Sequence, residues 1–214
     1  MSTELPPGWA MTPLSKIVSP VRKTVEPHEI QSSDLYIGLE HVSSRTGEHT
    51  GVPAAEADIK SAKFRFEPGD LLYGKLRPNL RKCTVVGVTG ICSTDLIPLR
   101  PVDTGSAHFL SVQLRSTTFT ESVMRLIGGA NLPRVNVRDL LTIEVPLPSP
   151  EDRDRLQQEA RSLHYVRESL RTVQERIGDL ENAISAESWG HLRLAANAPV
   201  SKPASRQGPR KTAR

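Results

Sequence analysis

Two short motifs in the chain contain residue types that bind phosphate or metal in enzymes. Residues 69–75 (GDLLYGK) match the first seven positions of a nucleotide-binding P-loop, but Leu76 stands where Ser or Thr must hold Mg²⁺. Asp58 and Lys60 have the spacing of a metal-dependent nuclease, yet a chain with 24 acidic residues contains such a spacing about once by chance. Since the sequence also lacks a Ser-, His- or Cys-based catalytic motif, it predicts a non-enzyme without cofactor or metal site.

Basic side chains are concentrated in one short segment that has no acidic residue. The four cations lie within eight positions and are Lys75, Arg77, Arg81 and Lys82. Such a cluster can bind consecutive phosphates of a nucleic acid, although a solvated surface strand with paired cations has the same composition.

A second segment contains the side chains that form paired hydrogen bonds with guanine and adenine edges. Its members are Asn131, Arg134, Asn136 and Arg138. We predict that these residues contact either bases or phosphates, and their types do not separate the two roles.

A heptad pattern follows the proline-rich residues 146–150. Leucine and isoleucine recur every seven positions, and a second apolar position follows three residues later. The predicted coiled-coil interface consists of Leu156, Leu163, Val166, Leu170, Val173, Ile177, Leu180 and Ile184. A helix of this length would extend about 57 Å. Because no other segment has a matching heptad, the pattern predicts a partner helix from another molecule.

The remaining sequence supplies the elements that must position these residues. The net charge of +4 is concentrated at the C-terminal end, where residues 188–214 hold six basic residues and no acidic one. We predict an α+β protein in three parts: a strand-rich recognition domain (1–149), one long coiled-coil helix (150–188) and a disordered basic tail (189–214). No apolar run is long enough for a membrane span and no secretory signal is evident, so a cytoplasmic location is expected.

Within the first part, two local predictions concern function or pairing. Residues 87–90 (GVTG) predict a hairpin turn that would place Cys83 opposite Cys92. Residues 43–62 have no apolar period and predict a long loop, which in a compact domain is usually functional or disordered.

Six segments, taken in order, resemble the specificity subunit of type I restriction-modification systems. They are residues 5–9 (LPPGW), 36–42 (YIGLEHV), 66–78 (FEPGDLLYGKLRP), 90–95 (GICSTD), 129–134 (GANLPR) and 145–148 (VPLP). The resemblance implies a target recognition domain that reads a DNA half-site, followed by a helix that serves as spacer and docking platform for adenine-methyltransferase subunits. Members usually carry two such units, so this chain resembles a half-length form.

The resemblance also implies partners and divides the roles among the candidate residues. The chain would form a homodimer through the long helix and read a bipartite site in double-stranded DNA with DNA adenine methyltransferase subunits. It leaves open whether a restriction and translocase subunit joins the complex. We assign phosphate contact to Lys75, Arg77, Arg81 and Lys82, and base reading to residues 43–62, where Arg45 and His49 are the long donors.

Two alternatives remain from other classes of protein. A coiled-coil assembly or adaptor protein of a methyltransferase-based phage-defence complex would show no preference among duplexes. A metal-dependent nuclease would lose DNA cleavage on chelation of its metal.

Overall fold

The structure of the protein is a computed structural model that describes residues 4–127 and 132–196, with the backbone alone at 104 and 188–196. The chain divides into two compact units at the boundary between Glu168 and Ser169. The strands are β1 (Ala10–Pro13), β2 (Val18–Pro20), β3 (Thr24–Val25), β4 (Leu35–Ile37), β5 (Val52–Pro53), β6 (Lys63–Phe66), β7 (Leu71–Gly74), β8 (Cys83–Val85), β9 (Gly90–Cys92), β10 (Leu96–Pro101) and β11 (Glu144–Leu147). The helices are α1 (Ala107–Leu114), α2 (Thr117–Ile127), α3 (Val137–Leu140) and α4 (Pro150–Ala196). The predicted α+β class with a long C-terminal helix is confirmed.

Three sheets organise the first unit. A four-stranded sheet has the order β2-β10-β7-β8, a five-stranded sheet has the order β3-β6-β9-β4-β5, and β1 pairs with β11. The pair β4 and β9 is parallel, whereas the other strand pairs are antiparallel.

Strand β7 lies between two apolar cores, which explains why its sequence LLYG is buried throughout. Successive side chains of a strand point to opposite faces. Accordingly, Leu71 and Tyr73 pack with helices α1 and α2 in the main core, while Leu72 packs with Ile37 and Phe66 in a second core. The segment resembling a P-loop is therefore a central strand, which a turn at Gly69 (φ +87°) precedes.

The predicted hairpin between Cys83 and Cys92 is wrong. Strand β8 pairs with β7 in the four-stranded sheet, while β9 pairs with β4 and β6 in the five-stranded sheet. The β-branched and apolar residues 91–99 predict a single strand, but the structure divides them by a turn at 93–95, and β10 returns to the four-stranded sheet. Long-range pairing therefore prevails over the local turn signal.

One partly buried ion pair joins Asp70, the residue before β7, to Arg100 of β10 and gives a testable effect on stability. Asp70 is 1% exposed and accepts hydrogen bonds from Arg100 Nε (2.8 Å), Arg100 Nη2 (3.0 Å) and the backbone N–H of Glu67 (2.8 Å). We expect Asp70→Ala to lower the free energy of unfolding by about 2–3 kcal/mol, discounted from a fully buried pair because the Arg100 side chain is 44% exposed.

Urea denaturation of Asp70→Ala measures this effect, and Asp58→Ala is its matched control. The Asp58 side chain forms an ion pair with Lys60 that is 77–80% exposed, so its removal should change the unfolding free energy by less than about 0.5 kcal/mol. Equal midpoints for the two variants would contradict the assigned role of Asp70.

Helix α4 begins at Pro150, as predicted. Pro suits the first helical turn, and the Ser149 hydroxyl accepts a hydrogen bond from the Asp152 backbone N–H at 3.2 Å. The helix passes the predicted end at 188 and continues to Ala196, while residues 197–214 of the predicted tail lie outside the described residues. Across the described ranges, no helix combines the length and apolarity that a bilayer crossing needs.

The first part of α4 packs within the first unit. Leu156 and Ala160 contact the main core. The Trp9 indole N–H donates to the Asp152 carboxylate (3.0 Å), and the Gln157 amide donates to the Asp103 carboxylate (3.1 Å). The strand-rich domain and the start of α4 are thus parts of one compact unit.

Candidate nucleic-acid interface

The two basic segments, far apart in sequence, meet in the structure. The backbone N–H of Arg77 donates to the carbonyl of Pro133 (2.7 Å), and the N–H of Val135 donates to the carbonyl of Lys75 (3.0 Å). An antiparallel bridge between Leu76 and Arg134 lies between these bonds. We call the meeting point of Lys75, Arg77, Asp95 and Arg134 the basic junction.

Asp95 connects the two segments of the basic junction. Its carbonyl accepts a hydrogen bond from the Lys75 backbone N–H (2.8 Å), and its carboxylate forms an ion pair with the Arg134 guanidinium. Arg134 keeps 51% of its side chain exposed. Asp95 thus fixes the direction of Arg134, and no catalytic or binding motif in the sequence singles out this residue.

Lys75 lies in a partly buried environment within the basic junction. Its Nζ atom lies 5.4 Å from the centre of the Phe64 ring, a cation–π distance. Burial lowers the pKa of Lys75, and the neighbouring positive charge of Arg134 lowers it further. Lys75 therefore contributes to the positive potential of the junction, but its partly buried side chain is less able to extend toward a ligand.

Arg77 is the exposed cation of the basic segment, and its backbone is left-handed. Its φ of +52° is a conformation that costs a residue with a side chain about 1–2 kcal/mol. The hydrogen bond to Pro133 and the short 3₁₀ turn Pro78–Leu80 hold it there. The side chain is exposed on the protein surface beside the junction.

The other two predicted phosphate-contact residues hydrogen-bond to the domain itself. Arg81 Nε donates to the carbonyl of Arg115 (2.5 Å), and Lys82 Nζ donates to the carbonyl of Leu39 (2.8 Å). Both residues therefore hold the 3₁₀ turn in place. A run of basic residues in the sequence does not show which side chains contact the domain itself and which face solvent.

Residues 43–62, predicted as an unstructured loop, are partly ordered by strand pairing. Strand β5 pairs with β4, and a further bridge joins Val42 to His49. These contacts make a long hairpin whose turn is residues 44–48. Arg45 is exposed at this turn with φ +69°, whereas His49 lies on the hairpin stem beside the bridge.

The second basic segment includes one residue with a local structural role. The Asn136 side-chain oxygen accepts a hydrogen bond from the Arg138 backbone N–H (2.9 Å), so Asn136 caps helix α3. Arg138 is exposed. The predicted candidate Asn131 lies outside the described residues.

Most of the predicted coiled-coil positions on α4 are exposed in the single chain. The exposed fractions of Leu163 and Val166 are 42% and 56%, and those of the later positions range from 50% to 64%. The later positions are Leu170, Val173, Ile177, Leu180 and Ile184. Leu156 differs because it packs against the main core of the first unit.

Comparison with known proteins shows what this arrangement is similar to. No protein-family model matches the chain. It is 27% identical over 191 residues to the type I restriction enzyme EcoDI specificity subunit of Escherichia coli. The alignment covers 86% of this chain and 42% of the E. coli protein.

Solved structures show a similar fold. The HsdS subunit from Thermoanaerobacter tengcongensis matches with a TM-score of 0.61 at 22% identity, over 96% of this chain and 53% of that one. A structure described as showing complex assembly and conformational transition of the type I R-M system matches with a TM-score of 0.54 at 21% identity, over 97% of this chain and 53% of that one. The chain spans about half the length of the proteins that it matches.

Segments that carried the family resemblance converge at the basic junction. Residues 66–78 end at Lys75 and Arg77, residues 90–95 end at Asp95, and residues 129–134 end at Arg134. Backbone hydrogen bonds and the ion pair join these three ends. Motifs that lie apart in sequence therefore build one surface of the first unit.

Proposed function

We propose that the chain is a half-length DNA specificity subunit of a type I restriction-modification complex. Two copies would pair through α4, and each first unit would read one half of a bipartite site. The specificity subunit would not itself be an enzyme, and adenine-methyltransferase subunits would supply the chemistry. The homology to the EcoDI specificity subunit is the observation that carries this proposal.

One further observation supports the pairing of two copies. The α4 positions from Leu163 to Ile184 are exposed at heptad spacing, and apolar side chains at that spacing are buried by pairing with another helix. Helix α4 would also be the docking surface for the methyltransferase subunits.

The basic junction supports a division of roles on the recognition domain. We propose that Arg77 and Arg134 contact phosphates, that Lys75 adds to the positive potential, and that Arg81 and Lys82 hold the turn. Arg45 at the hairpin turn would read bases, with His49 on the stem. Arg138 remains a candidate for either role.

Methylation mapping tests the proposed function. The purified chain should neither cleave nor methylate DNA, but together with its cognate adenine methyltransferase and S-adenosylmethionine it should direct methylation to one sequence. If two identical copies read the DNA, that sequence should have two identical half-sites in inverted orientation, separated by unread positions.

Other outcomes of this experiment favour the alternative functions. Methylation without any sequence preference would favour the coiled-coil adaptor. Metal-dependent cleavage by the chain alone, retained through further purification, would favour the nuclease. Two different half-sites would contradict the homodimer while leaving the specificity role intact.

A further inference from the structure

A narrow cleft lies in the first unit, where α1, the start of α4 and the turn at residues 44–48 meet. Its described lining includes two arginines, two histidines and two hydroxyl residues but no carboxylate: Arg115, Arg167, His108, His164, Ser111 and Thr46. The cleft has about 240 Å³ of empty space including its open mouth, and a single water-sized group fits inside it. An oxyanion at the mouth could therefore place one oxygen within the cleft.

The arginines of this cleft are held by neutral groups. Arg115 is 8% exposed, and its Nη1 atom donates to the carbonyl of Cys83 (2.8 Å) and to the Ser111 hydroxyl. Arg167 Nη1 donates to the carbonyl of Thr46 (3.0 Å). Within the described part of the chain, each of these hydrogen bonds is donated by Nη1. The Nε and Nη2 atoms of both guanidinium groups therefore remain as donors for a ligand.

The charge around the cleft is positive. Arg81 and Arg161 add positive charge near helix α1. The charge of Arg81 lowers the pKa of Arg115, and the charge of Arg161 lowers the pKa of His108. Two glutamates oppose them: Glu168 lies 3.7 Å from His164, and Glu48 accepts a hydrogen bond from the Thr46 hydroxyl (3.0 Å). Four arginines thus face two glutamates, and the excess remains positive with both histidines neutral.

We propose that this cleft binds a phosphate group, which Arg115 and Arg167 hold with the help of His108 and His164. Charged arginine donors form short, strong hydrogen bonds with phosphate oxygens. The phosphate would be either inorganic phosphate or a phosphate of the DNA backbone. Only the second source rests on the proposed function.

His108 provides a local reporter of the bound anion. Its ring centre lies 4.7 Å from that of His164. Burial, together with the smaller effects of positive charge on His164, Arg161 and Arg115, lowers the pKa of His108 to about 4. Because an anion stabilises the protonated imidazole, bound phosphate should raise the pKa of His108.

Inorganic phosphate, titrated into the full chain at constant ionic strength, tests the site. We expect saturable thermal stabilisation that chloride does not produce, together with an upward shift of the His108 titration measured by NMR. Arg167→Gln should weaken phosphate binding about tenfold, the loss expected for one charge-assisted hydrogen bond. Arg171→Gln is the matched control because Arg171 lies one turn further on α4 and pairs with Glu175 (2.5 Å).

A second variant distinguishes a loss of phosphate binding from a loss of folding. His164→Gln should also weaken phosphate binding, while its melting temperature without phosphate should stay near that of the wild type. The proposal is wrong if phosphate and chloride stabilise the chain equally, or if Arg167→Gln and Arg171→Gln bind phosphate with equal affinity.

A DNA experiment separates the two sources of phosphate. If the cleft takes a backbone phosphate, Arg167→Gln should reduce the salt slope of duplex binding by about one unit. If the slope is unchanged while inorganic phosphate binding weakens, the ligand is free phosphate. Failure of the chain to bind any duplex would contradict the proposed function but leave the phosphate titration valid.

Discussion

Leu170→Asp should convert the chain from a dimer into a monomer. Leu170 is 58% exposed in the single chain, so it contributes little to the unit in which it lies. In a paired helix, each copy would lose about 1.5–3 kcal/mol of apolar burial, or about 3–6 kcal/mol for the dimer. The dissociation constant should then rise by about two to four orders of magnitude, before the cost of burying the new charge.

Sedimentation at micromolar concentration measures this change, and Thr172→Asp is the matched control. The control adds the same charge two residues along α4, outside the heptad positions. It should leave the chain dimeric, and both variants should keep the helix content of the wild type. A monomeric wild type would contradict the homodimer and favour pairing with a different chain.

Much of the fold could be predicted from local patterns. The aromatic and alternating pattern of residues 63–66 predicts a strand, which is β6. The patterns of residues 108–114 and 119–127 predict helices, and α1 and α2 begin within two residues of these positions. Helix α4 starts at Pro150. Proline at the first helical turn and the heptad spacing are properties of neighbouring residues. Such signals need no knowledge of the rest of the chain.

Pairings between distant segments could not be predicted in the same way. Residues 87–90 have the composition of a hairpin turn, yet the strands on either side belong to two different sheets and pair with segments distant in sequence. The basic junction is a similar case. Nothing local to Asp95 indicates that Lys75 and Arg134, which lie 20 and 39 residues away, will meet there.

The sequence also could not predict whether an individual basic side chain faces solvent or the domain. Arg77 and Arg81 belong to one basic run and both have left-handed backbones, with φ of +52° and +57°. Arg77 is exposed, while Arg81 donates to a carbonyl of the domain. The sequence shows that the segment is basic, whereas packing in the folded domain determines which of its cations faces solvent.

Arg77→Ala and Arg45→Ala should weaken DNA binding in two different ways. If Arg77 neutralises a phosphate, its loss should weaken binding to target and non-target duplexes alike and reduce the salt slope by about one unit. If Arg45 reads a base, its loss should cost about 1–3 kcal/mol on the target alone, which is about 5- to 150-fold in affinity, and should relax specificity at one base pair.

Binding isotherms on target and random duplexes, each measured over a range of salt concentrations, separate the two effects. Arg22→Ala is a suitable control, because Arg22 is a basic residue of the first unit outside the basic junction and the hairpin turn. It should change neither the salt slope nor the discrimination between duplexes. An unchanged slope for Arg77→Ala would mean that the exposed cation of the junction is a solvated surface residue.

Replacing the whole hairpin extends the second half of this prediction. Residues 43–62 exchanged for those of a relative with a different target should change the methylated sequence, because base-edge contacts act only at their own positions. The stem bridge between Val42 and His49 and the pairing of β4 with β5 define where the exchanged segment must rejoin the domain. If the methylated sequence stays the same, base reading lies outside the hairpin, and Arg134 and Arg138 become the residues to exchange next.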